Sequence, residues 1–321
     1  MPRFDVAVVG ELNLDLILYG LPETLEPERE LYSDRMSLTL GSSSAIFAHN
    51  LASLGSRVGF ISRIGDDPLG RISLERLAEG GVDVSKVRKI GGLTTSGLTV
   101  ILQQNKFRNI LTYPGTIHEM CFEDLDLDYL RSARHFHLAS YYLHRALIPR
   151  IAELFRLMKE AGLSTSLDTN DDPEDRWDGE ICEVLKFVDI FLPNGREAEK
   201  ITGLDSWEAA LENLAEQVPL VVVKLGAQGA VARRGKEKIA GPALPVEPVD
   251  PVGAGDSFNA GFLHRHLAGD DLKTSLAFGN RAAAFSTTRP GGTEAFRDKK
   301  RLQEFFRKHE GASPSGRASA K

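Results

Sequence analysis

Pro219-Leu220-Val221-Val222-Val223-Lys224 is the last of four short strand-like segments that alternate with helical stretches between residues 134 and 224. A short apolar run such as Leu220-Val221-Val222-Val223 is typical of a buried strand. The other strands are expected at 134–138, 163–168 and 188–192, and the helices at 147–161, 178–186, 195–203 and 207–216. Strands that alternate with helices form βαβ units and a parallel sheet. The sequence therefore predicts an α/β fold with a single doubly wound, mainly parallel sheet flanked by helices.

The N-terminal half begins with a buried-strand pattern at residues 4–9 and then departs from this alternation. Further strands are expected at 14–19, 30–40, 97–103 and 109–113, the last two as a hairpin that turns near Asn105-Lys106. They predict a small β-sheet lid, built from about residues 12–40 and 95–115. The lid would belong to one domain of residues 1–310, followed by a tail, 311–321, that is expected to be disordered.

Composition and charge exclude several classes of partner. The formal net charge is −6, from 39 basic and 45 acidic residues, whereas a nucleic-acid-binding surface needs clustered lysine and arginine. No stretch approaches the roughly 20 apolar residues that span a bilayer, and the N-terminus lacks the pattern of a signal peptide. Cys121 and Cys182 are too far apart in sequence to indicate a disulfide framework or a zinc site. We therefore expect no nucleic-acid partner, no membrane partner and a cytoplasmic location.

Asp250-Pro251-Val252-Gly253-Ala254-Gly255-Asp256-Ser257-Phe258 is the segment that indicates chemistry. Its small residues stand where an apolar helical run begins, so they leave successive N–H groups uncovered at the start of a helix. Such groups carry partial positive charge and suit phosphate. A carboxylate at Asp256 would repel phosphate, but it could act as the base that deprotonates an attacking hydroxyl. The segment alone leaves open the alternative of a glycine-rich helix start that is capped by Asp256.

Other motifs occur along the chain in a fixed order. They are Gly10-Glu11-Leu12-Asn13-Leu14-Asp15, Gly41 with the small-residue run that follows it, Gly65-Asp66-Asp67-Pro68-Leu69-Gly70, Pro193-Asn194-Gly195-Arg196-Glu197, Val223-Lys224-Leu225-Gly226-Ala227-Gln228-Gly229-Ala230 and Phe278-Gly279-Asn280-Arg281-Ala282-Ala283-Ala284. Together with residues 250–258 they resemble the ribokinase-like (PfkB) carbohydrate kinases over nearly the whole chain. Several motifs in this order are far more specific than any one of them.

The resemblance implies an ATP-dependent kinase that phosphorylates a sugar or a nucleoside. Asp256 would be the catalytic base, in an anion hole formed by Gly253, Ala254 and Gly255. The residues expected to bind the acceptor are Asn13, Asp15, Gly41 and Ser42. Family members often dimerise through the lid, and exposed strand edges favour pairing, so a homodimer through the lid is also expected.

The same resemblance assigns residues to the nucleotide and to metal ions. The residues expected to bind ATP are Asn194, Lys224, Gly226, Gly229 and Asn280. Glu197 would position Mg²⁺ through water. Asp250, just upstream of the anion hole, would hold a monovalent cation, K⁺.

The identity of the acceptor follows less directly from the sequence. Ser42-Ser43-Ser44 stand where ribokinases carry Gly-Lys-Gly, and Ile46 stands where many family members place an Asn that contacts the sugar, so ribose is not favoured. Arg108 lies near the expected hairpin turn, where a solvent-exposed role is favoured over a phosphate clamp. An uncharged sugar or nucleoside is therefore the expected acceptor. The alternatives are a sugar-phosphate kinase of the phosphofructokinase type and a non-catalytic regulator that binds sugar or nucleotide on the same fold.

Asp168-Thr169-Asn170-Asp171-Asp172-Pro173 follows a predicted strand at the edge of the sheet where open α/β sheets bind ligands. The segment could face the site or could serve as a polar loop cap, and the sequence favours neither role.

Overall fold

Two β-sheets form the framework of the protein. The computed structural model describes residues 2–92, 94–104, 107–177 and 180–310. Its strands are β1 Phe4–Val9, β2 Leu14–Leu21, β3 Arg35–Leu40, β4 Val58–Gly65, β5 Asp83–Ile90, β6 Leu98–Gln104, β7 Arg108–Tyr113, β8 Ala133–Leu138, β9 Ser164–Leu167, β10 Ile190–Phe191, β11 Leu220–Lys224, β12 Ala230–Arg234 and β13 Glu237–Gly241. The larger sheet has the order β13-β12-β11-β10-β9-β8-β1-β4-β5, and the smaller sheet has the order β3-β2-β6-β7.

Helices cover both faces of the larger sheet. They are α1 Ser43–Ser53, α2 Pro68–Glu79, α3 Leu127–Arg131, α4 Ile148–Glu160, α5 Ile181–Leu185, α6 Gly195–Thr202, α7 Trp207–Leu214, α8 Ala254–His266, α9 Leu272–Ser286, α10 Glu294–Arg297 and α11 Lys299–Lys308. Successive side chains of β1 pack into two separate hydrophobic clusters, one on each face of the sheet. Ala7 and Val9 pack in the cluster that contains α4 to α7. Val6 and Val8 pack in the cluster that contains α1, α2, α8 and α9. Side chains of a strand point alternately to its two faces, so both faces of the sheet are buried.

The predicted fold class is confirmed. In the larger sheet, neighbouring strands from β11 to β5 are all parallel, and the antiparallel pairs among its described strands are β11–β12 and β12–β13. Strand β5 was not predicted, because its sequence, DVSKVRKI, is largely polar. It pairs with β4 on one side only, and the side chains of such an edge strand remain partly exposed. No helix in the described ranges is long and apolar enough to cross a membrane.

The smaller sheet is the predicted lid. Its strand β3 begins at Arg35, which pairs with Tyr19, so the strand expected from residue 30 starts later than predicted. The reason is that Gly20, directly after Tyr19, has a φ of 75° and ends the regular pairing with β3. Strands β6 and β7 form the expected hairpin. The turn at residues 105–106 and the tail at 311–321 lie outside the described residues.

Candidate active site

A cavity of about 510 Å³ lies between the lid and one edge of the larger sheet. Strands β2, β6 and β7 line it from the lid side. The residues that follow β1, β9, β10 and β11 line it from the other side, together with the start of α8. Parallel strands present their carboxyl ends at the same edge of a sheet, and ligands bind there in open α/β folds. The topology therefore brings residues from distant parts of the chain into one cavity.

The start of α8 lies at the cavity, where the sequence predicts an anion hole. Gly253 precedes this helix with a φ of 72°, and a Cβ at this position would come within 2.5 Å of the Gly292 Cα. Only glycine fits such a left-handed conformation at such a close approach. The first N–H groups of a helix have no partner within it, so those of Gly255 and Asp256 remain available at the cavity.

Asp256 lies in the first turn of α8 and lines the cavity. Burial and the nearby Asp168 carboxylate raise the pKa of Asp256 to about 7, although Lys224 opposes this shift. The Ser43 hydroxyl also lowers the pKa of the Asp256 carboxyl, with a smaller effect than burial has. A carboxylate with a pKa near neutrality can accept a proton more readily than an ordinary aspartate.

Lys224 ends β11 and connects the carboxylates of the site. Its Nζ lies 2.5 Å from the Asp168 Oδ2, and Asn259 donates a hydrogen bond to the same oxygen. Burial opposes protonation of Lys224, but the Asp168 and Glu197 carboxylates raise its pKa above the usual value. Lys224 therefore remains a cation inside the cavity. Asp168, whose role the sequence left open, lies in the site and not in a peripheral loop cap.

Asn194 and Glu197 form a capping box at the start of α6. The Asn194 Oδ1 accepts a hydrogen bond from the Glu197 N–H, and the Glu197 Oε2 accepts one from the Asn194 N–H at 2.8 Å. Burial and the Asp168 carboxylate raise the pKa of Glu197 to about 7. The box fixes both side chains at the cavity wall, where oxygen donors suit Mg²⁺. Among the residues that the structure describes, no cluster of three or more His, Cys, Asp or Glu is arranged to hold a metal ion.

The residues expected to bind the acceptor come together on the lid side. Asn13 lies within 3.4 Å of the Thr99 hydroxyl. Burial, followed by the charges of Asp256, Asp250 and Glu11, raises the pKa of Asp15 to about 7. Gly41 lies behind Asp15: a Cβ there would come within 2.0 Å of the Asp15 Oδ1, so a larger residue would displace this carboxylate.

Ser42 is the N-cap of α1, since its Oγ accepts a hydrogen bond from the Ala45 N–H at 3.1 Å. Its hydroxyl donates to the Glu11 carbonyl oxygen. Glu11 was not predicted as a site residue, but it is 2% exposed and its carboxylate binds Ser44, Ser140 and His144. A charged residue directly after a buried strand is the sequence signal that would have identified it.

Two further residues, Asn170 and Arg108, also line the cavity. Asn170 donates a hydrogen bond to the Ser43 Oγ at 3.0 Å and lines the cavity. Arg108 is exposed, as expected, but it also lines the cavity from β7, together with Ile110 and Thr112. These three residues alternate along the strand and therefore share one face. The strand register, which cannot be read from the sequence, determines which face of β7 lines the cavity.

Some predicted residues lie outside the cavity wall. The Asn280 Nδ2 donates to the Gly241 carbonyl oxygen at 2.8 Å, which joins α9 to β13. Gly229 forms the turn before β12 with a φ of 94°. Asp250 lies behind the anion hole, and its carboxylate is bound by protein donors. This arrangement does not fit the monovalent cation expected there.

Known proteins resemble this chain in sequence. The sequence profile of the pfkB family carbohydrate kinase matches residues 3–299. An uncharacterised sugar kinase of Archaeoglobus fulgidus is 30% identical over 244 residues, which cover 76% of this chain and 96% of that protein. The ATP-dependent ribose-1-phosphate kinase of Halopiger xanaduensis is 30% identical over 292 residues, which cover 90% of this chain and 94% of that protein.

A solved structure extends the likeness to the fold. A putative ribokinase II from E. coli in complex with ATP and Mg²⁺ aligns with a TM-score of 0.82 and 24% identity, covering 95% of this chain and 100% of that chain. The family profile alone spans far more than half of the sequence. The chain is therefore a member of the pfkB family of carbohydrate kinases, phosphotransferases that have an alcohol group as acceptor.

Proposed function

We propose that the chain transfers the γ-phosphoryl group of ATP to a hydroxymethyl group of an uncharged sugar or nucleoside, with Asp256 as the catalytic base. The observation that carries the proposal is the position of Asp256. It lies in the first turn of α8 with a pKa of about 7 and opens into the same cavity as Lys224 and Asp15. A carboxylate at a helix start that suits phosphate is well placed to act on the hydroxyl that attacks it.

The proposed transfer needs few groups. The acceptor hydroxyl gives its proton to the Asp256 carboxylate while its oxygen bonds to the γ-phosphorus. The bond from that phosphorus to the bridging oxygen breaks, and ADP leaves. The N–H groups of Gly253, Gly255 and Asp256 would stabilise the charge on the transferred group, whereas that of Ala254 donates to the Pro251 carbonyl oxygen. Asn13 and Asp15 would orient the acceptor.

ATP and Mg²⁺ are proposed to bind on the side of the cavity that faces the large sheet. Lys224 and Gly226 would meet the phosphates, and Asn194 with Glu197 would hold Mg²⁺ through water. Bound Mg²⁺ would neutralise charge on the phosphates. Mg²⁺ often keeps several waters and binds chiefly to substrate phosphates, which suits a site without a dedicated cluster of carboxylates among the described residues. Gly229 and Asn280 would support the nucleotide pocket through the turn before β12 and through β13.

The carboxylic acids in the part of the cavity proposed to bind the acceptor favour an uncharged substrate. Glu11, Asp15 and Asp256 are carboxylic acids at or near this part of the cavity, and aliphatic side chains such as Ile46 and Ile101 line it. A phosphate dianion that leaves water needs strong paired cations. One lid arginine, Arg108, is the cation that could supply such a contact from β7.

Arg108 also supports a second candidate function, the phosphorylation of a sugar phosphate. One relative, from Halopiger xanaduensis, is a ribose-1-phosphate kinase. An acceptor with an anionic group could pair with Arg108 while its free hydroxyl meets Asp256. The two candidates differ in the charge of the acceptor, and so one comparison separates them.

The test is ADP release with matched pairs of acceptors, such as fructose and fructose 6-phosphate, or ribose and ribose 5-phosphate. We expect a higher kcat/KM for the uncharged member. A consistent preference for the phosphorylated member, lost in R108A and kept in the surface variant R131A, would establish the second candidate instead. Absence of ADP release with any acceptor in a broad panel of sugars, sugar acids and nucleosides would favour a non-catalytic regulator.

The proposal includes the assembly and the location of the kinase. Residues 1–310 would act as one domain, with a lid that mediates homodimer formation. The lid exposes apolar side chains on and near its edge strands: Tyr32, Met36, Phe107, Ile110, Leu111 and Tyr113. Exposed strand edges with apolar side chains favour pairing with a second chain. A substrate such as ATP is consistent with a cytoplasmic enzyme.

A further inference from the structure

The Asp250 carboxylate is the feature that the proposed reaction does not yet explain. Asp250 is 1% exposed, so its carboxylate is removed from solvent. The Asp250 Oδ1 accepts a hydrogen bond from the Val252 N–H at 2.9 Å. The Asp250 Oδ2 accepts one from the Gly291 N–H at 2.9 Å and one from the Tyr19 hydroxyl at 2.7 Å. Three protein donors therefore satisfy both oxygens.

These contacts are unsuited to a monovalent cation. Amide N–H groups that point at the carboxylate present partial positive charge to any ion beside it. The neighbouring carbonyl oxygens, which a cation would need as ligands, accept protein hydrogen bonds: Thr287 from Val249, Gly292 from Asn50, and Pro251 from Ala254. A cation at this position would have to share each of these three oxygens with a protein donor.

Tyr19 connects this carboxylate to the lid. It lies on β2 and is 8% exposed. It packs with Ile17, Ile101 and Val252 in a small apolar cluster that joins two lid strands to the loop before α8. The Arg35 guanidinium lies 4.3 Å from the centre of the Tyr19 ring. Burial and the hydrogen bond to Asp250 raise the pKa of Tyr19, so its hydroxyl stays protonated and remains a donor.

The same face of β2 carries both the acceptor contact and this hydrogen bond. Asp15, Ile17 and Tyr19 alternate along the strand, and all three are buried. Asp15 lines the cavity. Tyr19 contacts Asp250, which lies two residues before Val252 at the start of the bend. A single strand therefore spans from the acceptor to the support of the anion hole.

From these contacts we infer that the Tyr19 hydroxyl takes the place of a monovalent cation, and that Tyr19 is a positioning residue for the anion hole. The inference rests on the proposed function, because the loop it supports carries Gly253 to Asp256. A hydrogen bond to a charged group inside a protein is stronger than one between neutral groups. It fixes the loop without an ion, so activity should not depend on K⁺.

The first measurement compares cations at constant ionic strength. For the wild-type protein, we expect kcat and KM to change by less than about twofold between K⁺, Na⁺ and choline salts. The melting temperature should also be the same in the three salts. Activation of the wild-type protein by K⁺ of about fivefold or more, or a rise of its melting temperature in K⁺ alone, would overturn the inference.

The second measurement uses Y19F, which keeps the ring and removes only the hydroxyl. The loss of a charge-assisted hydrogen bond should lower kcat by about tenfold, with a smaller change in the KM for ATP. K⁺ should then restore activity more than Na⁺ does and should raise the melting temperature of Y19F. The matched control is Y129F, since the Tyr129 hydroxyl also donates to an aspartate, Asp83, and neither residue lines the cavity; it should keep the wild-type response to the three salts.

The outcomes separate this inference from the proposed function. A wild-type protein without turnover in any salt would count against the proposed function, while the melting temperatures would still test the role of Tyr19. A Y19F protein that matches the wild type in every salt would overturn the inference. A loss in Y19F that no cation relieves would show that the hydroxyl does not stand in for an ion.

Discussion

Replacing Asp256 with asparagine should inactivate the protein and stabilise it at the same time. The pKa of Asp256 is raised from 3.8 to about 7, a difference of about 3 units. Each unit corresponds to about 1.4 kcal/mol, so the ionised carboxylate destabilises the folded state by up to about 4 kcal/mol above pH 7. Asp256 keeps partial contact with solvent through the cavity, so we halve this value to about 2 kcal/mol.

The sign of the effect follows from the raised pKa. A proton on Asp256 stabilises the folded state, and this contribution is lost as the pH rises from about 4 through about 7. The side chain at position 256 of D256N is neutral at every pH, so this variant does not lose stability as the pH rises through this range. Its melting temperature should therefore exceed that of the wild type by roughly 3 °C at pH 8, given a typical unfolding entropy for 321 residues. At pH 5 the difference in melting temperature between D256N and the wild type should be roughly half as large as at pH 8. Turnover should fall at least about 100-fold, because the base is absent.

The assay pairs thermal unfolding at pH 8 and pH 5 with initial rates of ADP release. D5N is the matched control, because the Arg57 hydrogen bond lowers the pKa of Asp5 at the opposite end of β1. It should lose a little stability at pH 8 and keep its turnover. A D256N protein with most of the wild-type turnover would refute the role of Asp256 as base. An unchanged melting temperature at pH 8 would refute the electrostatic reasoning.

Three other predictions concern pH, the buried lysine and the lid. In the wild type, kcat should rise with pH through about 7, because only the ionised form of Asp256 accepts a proton; a flat profile between pH 5.5 and pH 8 would contradict this. K224M should move this rise to higher pH and destabilise the fold by about 3 kcal/mol, since it leaves the Asp168 carboxylate buried without its cation; K238M, which removes a surface ion pair, should do neither. L111D should convert a dimer into a monomer in light scattering, because Leu111 is an exposed apolar residue on the edge strand β7; L204D should leave the assembly unchanged.

Most of the fold could be predicted from local sequence patterns. The strand and helix alternation between residues 134 and 224 depends on short segments whose length and spacing are visible in the sequence. The strand β5 was missed because one of its edges is unpaired and its side chains are largely polar. An edge strand needs fewer apolar residues than a central strand, and so its sequence resembles a loop.

The candidate site was only partly predictable, for a different reason. Residues 250–258 carry their chemistry in one segment, so the position of Asp256 at a helix start could be inferred directly. Lys224 and Asp168 meet because two strands separated by 56 residues end at the same edge. Tyr19 and Asp250 are 231 residues apart. Neither pair has a local signal, because sheet order and strand register decide which side chains meet.

Arg108, Ile110 and Thr112 on β7 offer a route to altered substrate choice. Each lines the cavity, yet each also lies on an exposed strand at the edge of the sheet. Substitutions at exposed positions usually change stability by less than about 0.5 kcal/mol, whereas Asp15, Ile17 and Tyr19 on β2 are buried. The proposed acceptor site thus lies between an exposed strand, β7, and a buried strand, β2. Evolution, or a designer, could retarget this kinase through three positions of β7 while the catalytic framework stays intact.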